Sequence, residues 1–60
     1  MTRMTLDQAV EAFKTKPNEK SAAKLLTVAL IYWHDEMIGD ESFEDEIILV
    51  RDWLARETGV

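Results

Sequence analysis

The 60-residue chain has no cysteine. Disulfide staples and thiolate zinc sites are therefore excluded, and both are common supports for a domain this small. Its single histidine rules out an imidazole-rich metal centre. The two glycines, Gly39 and Gly59, fall where helices are expected to end, so there is no glycine-rich loop to cradle a phosphate. Strand signals are also lacking, with no hairpin dipeptide and no sustained apolar/polar alternation. The longest apolar-rich run, "LLTVALIYW" from Leu25 to Trp33, is far short of the ~20 residues that span a bilayer. The start, "MTRMTLDQ", carries no apolar run behind its arginine and does not read as a secretory signal. The expectation is a cytoplasmic protein with no membrane partner.

Positive charge is missing from the middle of the chain. No Lys or Arg occurs between Lys24 and Arg51. Residues 1–24 hold five bases and three acids, net +2, whereas residues 25–60 hold two bases and nine acids, net −7. This balance argues against direct nucleic-acid binding, which needs a basic face against the phosphates. The densest part is "HDEMIGDESFEDEI", with seven acids between Asp35 and Glu46.

What the chain does have is helical pattern. Thr5 and Gln8 match a capping box, and Leu6, Ala9, Val10 and Phe13 follow at i, i+3, i+4, i+7. Pro17 stops this helix. Asn18 is a natural N-cap for a second helix, expected to run to a C′ glycine at Gly39. Its apolar residues cover well over half the circumference, which predicts a central helix with neighbours on two sides. Ser42 is the expected N-cap of a third helix, with Phe43, Ile47, Val50 and Leu54 as its core stripe and Gly59 as its end. Short connections favour antiparallel neighbours. The fold class is all-α: a single domain over residues 1–60, a compact antiparallel three-helix bundle with helices near 6–15, 19–38 and 43–57 and a long central helix 2. Leu26, Leu30, Trp33, Phe13, Phe43, Ile47, Val50 and Leu54 are the expected core.

Chemistry in the acidic stretch fails on spacing. An EF-hand register from Asp35 to Glu46 would put Met37 at a ligand position, and Asp40 where the sharp turn reserves glycine. His34, Asp35 and Glu36 are adjacent and cannot converge from one helix face. His34 has no partner at catalytic spacing, and no serine or threonine sits in a nucleophile elbow. No cofactor, metal or catalytic residue is expected, and the chain is not read as an enzyme.

Two features remain for function. Asp40, Glu41, Glu44 and Asp45 suit the positive end of the third helix, but Asp35 and Glu36 oppose the negative end of the second. Asp35, Glu36, Asp40, Glu41 and Glu44 thus form a candidate acidic corner for a partner with a basic surface. Ile31 and Ile38, one heptad apart on an otherwise polar stripe, and Ile48 on the polar side of helix 3, are candidate self-association residues, as in a homodimer.

"LIYW" (Leu30–Trp33), an acidic turn, and "IILVRDWLARETG" (Ile47–Gly59) resemble the second half of the colicin-DNase immunity proteins. Those are small acidic helical inhibitors with a tyrosine pair, an acid-rich loop and a C-terminal helix carrying a tryptophan. The resemblance would make Tyr32 a recognition residue. It covers about half the chain without a strict motif. The family is longer and four-helical, and has "LIYW" in a short helix rather than a long one. The reading from sequence is a small acidic non-enzymatic protein–protein interaction module that self-associates. The alternative is an acidic inhibitor or decoy that blocks a basic, nucleic-acid-binding type of surface on another protein.

Overall fold

The computed structural model describes residues 4–59; Arg3, counted among the bases above, lies outside them. Within these residues the chain forms three helices and no strand: α1 (Leu6–Thr15), α2 (Glu19–His34) and α3 (Asp40–Thr58). Among the described residues no helix is long and apolar enough to cross a membrane.

Local chemistry explains each boundary. Thr5 caps α1 through a closed box: the Gln8 amide donates to Thr5 Oγ1 at 3.1 Å and the Thr5 amide to Gln8 Oε1 at 2.9 Å. Asn18 caps α2 in the same way, with Ser21 closing the box at 2.8 and 3.0 Å. The Ser21 hydroxyl also reaches back to the Lys16 carbonyl at 2.9 Å, which ties the turn around Pro17 to α2. Gly59 ends α3 in the left-handed conformation, φ 74°.

The α2–α3 turn departs from expectation. α2 stops at His34 rather than near residue 38, and at 16 residues it is shorter than the 19-residue α3, so the central helix is not the long one. The left-handed C′ position falls on Glu36, φ 60°, and not on Gly39. The Met37 amide donates to the Tyr32 carbonyl at 2.8 Å and the Glu36 amide to the Trp33 carbonyl at 3.1 Å. This is the Schellman pattern with a glutamate where glycine is usual. Gly39, in extended geometry, is then the N-cap of α3, with no side-chain cap bond. Ser42 falls inside the first turn, because the helix starts three residues earlier than its capping chemistry suggested.

The core is small. Ala9 and Phe13 of α1, Ala22 and Leu25 of α2 and Val50 of α3 form it, with Met4, Leu6, Val10, Val28, Leu49 and Trp53 packed around them. Ala29 of α2 is also fully buried. Phe13 and Trp53 meet edge to face, centroids 5.6 Å apart at 85°, a favoured aromatic geometry. Of the expected core, Phe13 and Val50 are buried and Phe43 is half-buried, but Leu26, Leu30, Trp33, Ile47 and Leu54 are open to solvent. The reason is geometric. α1 has ten residues, about 15 Å of helix, and covers one side of the α2/α3 pair, while α3 runs about 28 Å. The molecule is accordingly flat, 34 × 27 × 13 Å between Cα extremes. Its radius of gyration of 11.4 Å exceeds the ~10.4 Å of an average folded chain of this length.

Candidate protein-interaction surface

The side of α2 turned away from α1 carries Leu26, Leu30 and Trp33, at i, i+4, i+7, exposed by 36%, 50% and 40%. On α3 the matching stripe is Phe43, Ile47 and Leu54, with the last two exposed by 39% and 49%. Trp33 joins the two stripes. Its ring stacks on Phe43, centroids 4.9 Å apart and 14° from parallel, and its Nε1 donates to Asp40 Oδ1 at 2.8 Å. The indole is therefore held in place although it is partly wet. Leu26, Leu30, Trp33, Ile47 and Leu54 together leave on the order of 450 Å² open. That lies within the ~300–600 Å² of the largest patch on a typical soluble monomer, which is often a functional one.

The acidic corner sits at one end of this face. Asp35, Glu36, Asp40, Glu41 and Glu44 are all exposed. Asp40 differs from the rest, since its carboxylate is spent on the Trp33 indole. Asp35 is the C-cap of α2, with Oδ1 3.4 Å from His34 Nδ1. Both groups are well solvated, so the contact contributes little. Glu36 occupies the left-handed position, where a non-glycine residue costs roughly 1–2 kcal/mol. Among the described residues no three His, Asp or Glu side chains converge as metal ligands.

The three candidate isoleucines do not form the expected seam. Ile38 lies beyond the end of α2, so it shares no helix with Ile31. It is half-buried and lines a small hollow with Leu6, Tyr32 and Met37. Ile31, 37% exposed, is on the flank of α2 away from Leu26 and Leu30. Ile48, also 37% exposed, is on the polar side of α3, about 100° round the helix from Ile47. Tyr32 is half-buried in that same hollow rather than displayed on the open face.

Glu46, half-buried on α3, has its pKa raised, first by burial and then by the neighbouring Asp45 charge, with a smaller push from Asp7; Lys14 acts the other way.

The open stripe was visible in sequence as apolar, yet it read as core. Helical periodicity locates a stripe but not what covers it. The available signal was the shortness of α1, which can cover only part of the wide apolar arc of α2. Comparison with known protein families, curated proteins and solved structures found no match, so the surface has to be interpreted from its own chemistry.

Proposed function

We propose that the chain is a small acidic, non-enzymatic protein–protein interaction module of the cytoplasm, an antiparallel up-down-up three-helix bundle that docks through the open α2/α3 face. The observation that carries this reading is the continuous apolar stripe from Leu26, Leu30 and Trp33 across to Phe43, Ile47 and Leu54. Large aromatic and aliphatic side chains held in fixed positions are the usual anchors of protein interfaces. The antiparallel pairing is supported by two contacts. Trp33 meets Phe43 at one end, and Leu25 shares the core with Val50 further along, so α2 numbering falls as α3 numbering rises.

The test replaces Leu30, half exposed, with Glu. Helicity and melting of the isolated protein should hardly change, while a partner captured from the native host by the unaltered chain should be lost. Retention of the same partner would exclude the face.

A second reading, an acidic decoy for a basic surface, is favoured by one feature. Asp35 and Glu36 are exposed against the negative end of α2, and Glu36 is also strained. Neither is explained by local stability. A complex of this kind weakens steeply with salt, whereas docking through the apolar stripe is nearly indifferent to it.

A further inference from the structure

We infer that the occupant of the α2/α3 face is a second copy of the same chain, stacked face to face about a two-fold axis that runs across the helices rather than along them. This inference rests on the reading of that face as the docking surface.

Area is the first argument. A standard interface takes ~800 Å² from each partner, about 65% of it apolar in homodimers. The open stripe, closed at one end by the Trp33–Phe43 stack, supplies most of that apolar share from residues already in place. A two-fold pairing uses the same patch twice and closes on itself, leaving no apolar face for further growth. It would also cover a domain whose own core, among the described residues, rests on six buried side chains.

Charge decides the orientation. Two layers of paired helices can stack about an axis parallel to the helices or about one perpendicular to them. The parallel axis brings the two acidic turns together, Asp35, Glu36, Glu41 and Glu44 of both copies, in a chain whose residues 25–60 already carry net −7. The perpendicular axis sends the two acidic turns to opposite ends of the pair and leaves Arg51, the base that borders the α3 stripe, facing the partner.

The α3 sequence is self-complementary in the second arrangement. Glu44 and Arg51 are seven residues apart, two turns on one side of the helix, and both border the Phe43–Ile47–Leu54 stripe. In an antiparallel pair of α3 helices centred between Ile47 and Ile48, Glu44 of each copy stands opposite Arg51 of the other. These are the flanking positions that set orientation in paired helices. Within one chain Arg51 reaches Asp52 next to it at 2.9 Å, with both side chains more than half exposed, a contact that solvent makes weak.

Sedimentation of the full chain from low to high micromolar concentration tests this. The unaltered protein should dimerise, and Leu30→Glu should be monomeric with unchanged helicity; Leu54→Glu serves as the second variant should the first fail to fold. Glu44→Arg and Arg51→Glu should each weaken the dimer about tenfold or more, which is ~1.4 kcal/mol or more, and the double exchange should restore it. A chain that stays monomeric throughout overturns the second copy as occupant, but leaves docking on a different protein standing. A dimer indifferent to both leucine changes overturns the inference and the docking face together. A dimer that Glu44→Arg tightens, or that the double exchange does not restore, overturns the perpendicular axis.

Discussion

The two sides of α2 are both apolar and are built differently. The side under α1 and α3 is made of Ala22, Leu25 and Ala29, all at or below 5% exposure, and α1 meets it with Ala9 and Phe13. The side turned away from α1 is made of Leu26, Leu30 and Trp33. Small residues let helix backbones approach closely, so a ten-residue α1 gains full burial from short contacts. Large residues on the other side would hold α1 off. They fit a surface whose cover arrives with its own side chains. Hydrophobicity does not separate the two stripes, but average size does: two alanines flank Leu25 on the covered side, against two leucines and a tryptophan on the open one.

The largest expected effect comes from exchanging leucines across this divide. Leu25, fully buried, should lose roughly 2–5 kcal/mol of folding stability on truncation to Ala, enough to unfold much of so small a domain. Leu30→Ala at the same dilution should cost well under 1 kcal/mol, because half of its surface is already wet. Urea melts at monomer concentrations measure both. Equal losses would mean that the two sides are covered alike.

Adding volume sharpens the same contrast at smaller magnitude. Ala29→Leu forces three carbons into a fully buried site and should cost about 1–3 kcal/mol. Ala23→Leu, exposed on the side of the open stripe, should leave folding within about 0.5 kcal/mol of the unaltered protein. Thermal melts of the two variants side by side are sufficient.

How much of this was legible in sequence varies along the chain. α1 was readable at both ends, because Thr5, Gln8 and Pro17 are local signals with strong local chemistry. The start of α2 was readable from Asn18 for the same reason. The α2–α3 turn was not, because the residues best suited to each cap are not the ones used. Glu36 takes the position that glycine prefers, and Gly39 takes a cap that Ser42 could have made with a side chain. Which apolar stripe is covered was not legible either, since that depends on the length and placement of α1 rather than on the stripes. The five acids of the corner are exposed, and the bond from Trp33 to Asp40 required the fold.

The turn offers predictions of about 1 kcal/mol. Glu36→Gly should raise stability by roughly 1 kcal/mol, by relieving the left-handed strain and removing a charge that opposes the α2 dipole. Gly39→Ser should add roughly a few tenths of a kcal/mol, since a Ser hydroxyl can cap α3, the φ of −84° suits any residue, and nothing lies within 4 Å of a new Cβ. Gly59→Ala, at φ 74°, should lower stability by comparison. If Glu36→Gly stabilises folding but weakens partner binding, the strained glutamate belongs to the docking surface.

The smallest effect is expected at Glu46, on the covered side of α3, and it is best read as a pH dependence. Burial and the Asp45 charge raise its pKa in the folded state, with Lys14 partly offsetting them. Its ionised form is therefore less favourable folded than unfolded. Where pH lies below the unfolded pKa, the group is protonated in both states and has no effect. As pH rises through the acid range the unfolded chain releases its proton first, and stability falls until the folded group has ionised as well. Glu46→Gln should remove this dependence. The variant should melt higher than the unaltered protein near neutral pH and converge with it at low pH. Lys14→Met should act in the opposite sense, deepening the neutral-pH penalty of the native glutamate and leaving the Gln variant unaffected. Melts of the four proteins at two pH values read the coupling directly. A Gln variant no more stable than the original at neutral pH would mean that Glu46 is as well solvated as the carboxylates of the acidic corner.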